Sequence, residues 1–245
     1  MGAEVEIEGV LGANLFCKED VAMVYPTISV NSWRVLDEDK EREFQKRVAE
    51  VEDLLRNRNH YGFWETFSRL LREKKVVRVG LIHGKSAQVW QDFISGFRSA
   101  AGEYADKIEF VRFESSLSDE ELAKTIEKVA NSGVHALFLL RGGGSKGELA
   151  RVGGFESIKA IIRADIPFYI AIGHSFDRMV SLMEKAADGH FATPSIAGQE
   201  LGKLVRVVAE NERKRAKESD FIVELAVKLL LVGFLLFLGF KVLLK

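Results

Sequence analysis

Between residues 76 and 172 the apolar positions fall alternately into continuous runs and into stripes at helical spacing. VVRVGLI (76–82) is an almost unbroken apolar run, and in Ser86–Ala101 the side chains Val89, Phe93, Ile94 and Phe97 recur on one side of a helix. KIEFVRF (107–113) predicts the next strand, and Ser118 with Glu121 has the spacing of a capping box that opens a helix running to about Asn131. HALFLL (135–140) reads as a fully apolar strand, Phe155–Arg163 as a helix, FYIAI (168–172) as a strand and 177–187 as a further helix. Strands that are apolar throughout and joined by helices imply a parallel sheet covered on both faces. The expected fold class is therefore α/β: a parallel-sheet, Rossmann- or flavodoxin-like domain, with an N-terminal helical extension and a long C-terminal helix.

The flanks have a different pattern. Residues 1–35 contain two β-like runs, EVEIEGV and VAMVYPTISV, too short for a core of their own. Residues 37–58 are charged, with Phe44, Val48, Val51, Leu54 and Leu55 at helical spacing, and Phe63–Lys74 predicts a second helix. A helix from about Ser195 could run unbroken through a charged stretch into an apolar one. Ala226–Leu244 is interrupted only by Lys228 and Lys241, and at 1.5 Å per residue it reaches about 28 Å. The expectation is a transmembrane C-terminal helix, burial against a second copy or a partner being the alternative. The basic flank Lys203, Arg206, Arg213, Lys214, Arg215 and Lys217 would then place the rest of the protein on the cytoplasmic side. The start, MGAEVEIEG, has neither a cationic region nor an apolar one, so no secretory signal is expected. The expected organisation is 1–75 (short β runs, then helices), 76–200 (catalytic α/β domain), 201–220 (basic linker helix) and 221–245 (hydrophobic helix).

Composition narrows the chemistry. The chain has 245 residues, 47% of them hydrophobic and 29% charged, which is a folded globular balance. Cys17 stands alone, excluding an intramolecular disulfide, and with scattered histidines no zinc set is visible. A net charge of −1 gives no basic footprint. Residues 76–200 hold 14 Lys+Arg against 16 Asp+Glu, so any nucleic-acid binding must come from a local site.

Such a site is suggested by the strand ends, beyond which ligands bind in open α/β sheets. The first strand ends in His83-Gly84-Lys85-Ser86, with Asp92 in the helix that follows. The third ends in Arg141-Gly142-Gly143-Gly144-Ser145 and the fourth in Gly173-His174-Ser175-Phe176-Asp177. Element order thus brings Lys85, Arg141 and His174 to one edge of one sheet. Glycines let backbone N–H groups approach a phosphate, and an adjacent Arg supplies a two-pronged fork. A carboxylate three residues after His174 can orient its ring or stabilise its charged form. Plainer readings exist for each: a Gly turn, a capped loop histidine, a solvated Asp92, a loop Lys85. The Gly loop is neither a Walker A loop nor a GxGxxG fingerprint, which excludes NTP hydrolysis and nicotinamide chemistry.

Taken in order, Arg141-Gly-Gly-Gly-Ser145, Gly173-His174-x-x-Asp177 and Ala192-Thr193-Pro194-Ser195, preceded by VRVGLIHGKSAQVWQD, resemble the catalytic domain of the exodeoxyribonuclease VII large subunit. The resemblance covers about 76–200. It implies hydrolysis of single-stranded DNA to short oligonucleotides without a divalent metal, hence no cofactor and no metal site. It also implies four catalytic residues, Asp92, Arg141, His174 and Asp177. Lys85, Gly142, Gly143, Gly144 and Ser145 are the expected phosphate-binding set. Arg141 would stabilise charge on the phosphate, and His174 is the only good acid or base near neutral pH. The chain departs from the family in several ways. About 75 residues with too few β runs replace the OB-fold, and a short basic helix with the hydrophobic tail replaces the long coiled coil that recruits small subunits. Ser175-Phe176 stand where the family reads Glu-Thr, His83-Gly84 replaces a Thr-Ser pair, and two extra residues sit between Asp177 and Thr193. The expected function is a membrane-anchored, metal-independent nuclease acting on single-stranded nucleic acid, DNA favoured. Its expected partners are that polymer, a membrane, a second copy and an unidentified regulator. The alternative is a membrane-anchored phosphate- or nucleic-acid-binding scaffold that hydrolyses nothing.

Overall fold

The computed structural model describes residues 5–18, 21–35, 38–143, 151–172 and 182–243. The chain divides into two compact units, Met1–Asn57 and Arg58–Lys245. In the first, β1 (Val5–Lys18) and β2 (Val21–Val35) pair antiparallel from Val5↔Val35 to Lys18↔Val21. The register shifts at Glu8/Gly9, where a β-bulge interrupts the ladder. Helix α1 (Glu38–Arg56) follows.

The second unit holds the parallel sheet. It begins with α2 (Phe63–Glu73) and β3 (Val77–His83), then α3 (Ala87–Ala101), β4 (Ile108–Glu114) and α4 (Asp119–Ala130). Next come β5 (Ala136–Arg141), α5 (Phe155–Ala164), β6 (Phe168–Ile172), β7 (Gly189–Phe191) and α6 (Pro194–Leu243). The five strands lie in the order β4-β3-β5-β6-β7, all parallel. Renumbered within the sheet this is 2-1-3-4-5, the flavodoxin-like winding, which reverses direction between β3 and β5. The α/β expectation holds, and with it the long terminal helix, which is about 75 Å long at 1.5 Å per residue.

Alternate residues of the strands bury into two layers. On one face Val79, Leu81, Phe138, Leu140 and Tyr169 meet α2, α3 and the first turns of α6 through Phe67, Phe93, Phe97, Leu201 and Leu204. Phe63, Phe67, Phe138 and Tyr169 stack tilted or edge-on, with centroids 5.2 to 6.4 Å apart. Residues of opposite parity, among them Ile82, Leu137 and Leu139, are equally buried, as are Leu122, Ile126, Ile158 and Ile161 on α4 and α5. Helices α3 and α6 approach closely because glycines line their contact. A Cβ on Gly202 would stand 2.5 Å from the Phe97 carbonyl oxygen, and one on Gly96 2.5 Å from that of Ser195.

Three expectations need correction. Ser118 stands at the N-cap position of α4, but its hydroxyl pairs with Ser116 Oγ at 2.9 Å and Glu121 pairs with Lys124, so no capping box forms. Of the helix expected over 177–187, residues 177–181 lie outside the described residues, and Leu182–Ala186 forms a 3-10 turn. The expected membrane anchor and its cytoplasm-facing placement are overturned. Among the described residues, no helix is long and apolar enough to cross a membrane. The run without charge, Leu229–Phe240, covers about 18 Å against a hydrocarbon core of about 30 Å. Lys228 at its edge is ion-paired to Glu224 at 2.5 Å, both side chains well exposed.

Candidate active site at the switch point of the sheet

The sheet's change of winding opens a crevice between the carboxyl ends of β3 and β5, and a cleft of about 380 Å³ lies there. Three loops wall it: Gly84, Lys85 and Ser86 after β3, Ser115, Ser116 and Leu117 after β4, and Arg141, Gly142 and Gly143 at the end of β5. Val89, in the first turn of α3, completes the wall. The topology thus brings Lys85 and Arg141 together at one edge, as the sequence pattern implied. Lys85 has no carboxylate partner among the described residues.

Among the described residues, no side chain caps the end of α3 that borders this cleft. Its N-cap Ser86 makes no side-chain capping bond, and the first turn carries no acidic residue. The first amides of a helix lack intrahelical acceptors and carry the positive end of its dipole, which suits an anion. Helix α5 differs: the Asp119 carboxylate accepts the N–H groups of Glu156 (3.1 Å) and Ser157 (2.8 Å), so its positive end is already occupied. Gly154 makes this possible, since a Cβ there would meet the Asp119 carboxylate at 2.7 Å.

The floor is held by backbone bonds. The amide of Ser115 donates to the His83 carbonyl at 2.9 Å, carrying the β3–β4 pairing one step past the strands. Leu117 adopts φ +63°, a left-handed conformation costly for a branched residue. It is held there by Ser115 Oγ, which accepts its N–H at 3.2 Å, and by Gly153 N–H, which donates to its carbonyl at 2.8 Å. His83 is buried at the end of β3, with Nδ1 2.7 Å from the Gly84 carbonyl. A carbonyl only accepts, so Nδ1 carries the proton of that bond.

The other candidates stand as follows. Asp92 is exposed on α3, one turn beyond Val89, and is not part of the cleft wall formed by the described residues. His174, Asp177, Gly144 and Ser145 lie outside the described residues. Among the described residues, no group of three or more His, Cys, Asp or Glu is placed to hold a metal ion. The β4 wall, Ser115 to Leu117, was not among the candidates. Its signal was a Ser-Ser pair directly after a strand.

An open α/β sheet of this winding places Lys85, Arg141, the Gly142–Gly143 backbone and the first turn of α3 around one cleft at its switch point, an arrangement whose chemistry suits an anion. The family model for "Exonuclease VII, large subunit" matches residues 69–224, from α2 to beyond the middle of α6, and the chain belongs to that family. It is 28% identical over 149 residues to the exodeoxyribonuclease 7 large subunit of Chlamydia trachomatis serovar A, covering 56% of this chain and 28% of that protein. The Thermotoga maritima large subunit is 30% identical over 139 residues, covering 53% and 34%. That of Pseudomonas aeruginosa strain LESB58 is 28% identical over 122 residues, covering 50% and 26%. The chain thus spans about a third or less of the length of the curated relatives it matches. A solved structure, a 3-dehydroquinate dehydratase-like protein from Bifidobacterium longum, aligns at a TM-score of 0.33 with 13% identity, covering 54% of this chain and 98% of that one.

Proposed function

We propose that this protein hydrolyses phosphodiester bonds of single-stranded DNA, through a catalytic segment at residues 76–200 and without a divalent metal. One observation carries this: the cleft at the β3/β5 switch point gathers Lys85, Arg141, the Gly142–Gly143 backbone and the open end of α3 in a member of the exonuclease VII family. The relatives' name, exodeoxyribonuclease, supplies DNA as the polymer and attack from an end as the mode.

In this reading a water oxygen attacks phosphorus, and the bond to the leaving sugar oxygen breaks. The non-bridging oxygens gain charge in the transition state, and Arg141, Lys85 and the loop amides, with Gly144 and Ser145 as further donors, stabilise it. His174 moves the proton, with Asp177 orienting its ring, because it is the side chain suited to both tasks near neutral pH. Asp92 supports the site from α3. The exposed Phe221, Ile222, Val223 and Leu225 on α6 support self-association along that helix, which sedimentation of wild type beside a Phe221→Glu/Leu225→Glu double variant tests.

The deciding experiment is cleavage of end-labelled single-stranded DNA and RNA in excess EDTA, with wild type beside His174→Ala. Cleavage of DNA that persists in EDTA and vanishes in the variant is expected. Cleavage retained by the variant removes His174 from the mechanism. No cleavage of either polymer by folded wild-type protein favours a phosphate-binding scaffold, the reading to which the place of Asp92 outside the cleft wall also points.

A further inference from the structure

Beside the cleft, α3 presents a second lining. Trp90, Gln91, Ile94, Ser95, Arg98 and Ser99 border an open groove of about 540 Å³. These positions recur every four residues, one stripe along the helix, flanked by Phe93, Phe97 and Ala101, which are buried in the core. From Trp90 to Arg98 the stripe runs about 12 Å, the length of about three nucleotides at 3.4 Å per stacked base.

Trp90 stands at the cleft end of this stripe. Its chain neighbour Val89 lines the cleft, and the ring of His83 lies 6.4 Å from its own. From β4, the edge strand of the sheet, Arg112 lays its guanidinium over the indole, 4.2 Å from the ring centroid. The pair is thus already stacked and oriented, and little rotamer freedom is left to lose when a flat ligand arrives. The ring is half-buried with one edge against the core, where Phe93 and Phe97 fill the space between α3 and the sheet against Phe110. The lining also carries a single charge, that of Arg98. A surface that tracked phosphates would carry surplus positive charge, whereas this one offers an aromatic face.

We infer that Trp90, held by Arg112, is a base-stacking platform that positions single-stranded DNA as it enters the cleft. This rests on the nuclease reading above and adds where the bases go. Trp90 does no chemistry on the phosphate; it sets the register in which a phosphodiester reaches Lys85 and Arg141.

The test measures binding of a short single-stranded DNA oligonucleotide to the full chain, in EDTA and in a His174→Ala background that leaves the DNA intact. Trp90→Leu weakens binding about tenfold to a hundredfold, whereas Trp90→Tyr keeps most of it. Abasic sites in the oligonucleotide weaken binding to Trp90-containing protein by a similar factor and have little further effect on Trp90→Leu. The slope of affinity against salt is the same in all variants, because stacking releases no counterions. Undiminished binding by Trp90→Leu, or an abasic penalty equal in both proteins, overturns the platform and leaves the nuclease reading standing. Failure of the Trp90-containing protein to bind any oligonucleotide overturns the platform, and absence of DNA cleavage by wild type overturns the nuclease reading separately.

Discussion

The guanidinium of Arg58 grips the carboxylate of Asp188 through two bonds of 2.8 Å, with both side chains withdrawn from water. The same carboxylate accepts the amides of Phe168 (2.8 Å) and Tyr61 (3.0 Å). It thereby ties the segment leading into α2 to the starts of β6 and β7. Removing one partner of such a pair strands a charge in the interior, and Arg58 Nε is already buried without an acceptor among the described residues. Asp188→Ala is expected to cost about 3–5 kcal/mol, read as a lower urea midpoint at unchanged slope. Asp188→Asn, which keeps the shape and an acceptor, should cost less. A loss below about 1 kcal/mol for Asp188→Ala would show that the pair contributes little to the fold.

The seating of α3 on α6 gives a second expectation. A Cβ at Gly202 would lie 2.5 Å from the Phe97 carbonyl oxygen and 2.8 Å from Ala100 Cβ. Backbone cannot yield as a side chain can, so Gly202→Val should destabilise by about 1–3 kcal/mol or more. Lys203→Ala, one residue on and exposed, should change stability by less than about 0.5 kcal/mol. Thermal unfolding of the two variants side by side decides it.

His135 predicts a pH dependence. Its Nδ1 accepts the Arg78 amide at 2.9 Å, which requires the neutral ring. Burial, with Lys74 and Arg78 nearby, holds its pKa below the ordinary 6.5. The unfolded chain therefore binds the proton more readily, and the contribution of His135 is fully present above pH 6.5 and declines as pH falls from there toward the folded-state value. His135→Asn should flatten the difference in denaturation midpoint between the two sides of that window. An unchanged difference would remove His135 as its source.

Lys85 is the cleft cation whose removal should be read most directly in binding. Lys85→Ala should weaken single-stranded DNA binding and lower the log–log salt slope by about 0.7, the value for one phosphate contact on a single strand. Titrations at several salt concentrations measure both.

Much of the second unit was legible because its strands are buried on both faces and so read as apolar runs, each ending in polar residues that topology then had to place together. This is why the sequence pattern alone puts Lys85 and Arg141 at one edge. Strand β7 was not legible: Gly189–Phe191 has only three residues and shows no alternation. The Leu117 wall escaped notice because nothing in Ser-Ser-Leu announces a left-handed backbone, which here is imposed by bonds from Ser115 and Gly153. The Ser118 capping box failed for a local reason, a hydroxyl partner two residues away. Arg58 and Asp188 are 130 positions apart, and no spacing rule links such a pair. The apolar C-terminal run predicts the helix that forms, but apolarity alone overstates its reach: between Lys228 and Lys241 it is too short to cross a membrane.

The close seating of α3 on α6 also has a mechanical side. The helix whose first turn borders the cleft is bolted, through contacts too tight for a single methyl group, to a rod about 75 Å long. A torque or a brace applied to the distal part of α6 would reach that first turn through packed backbone, without passing through any loop. Whatever grips the rod holds a handle on the cleft.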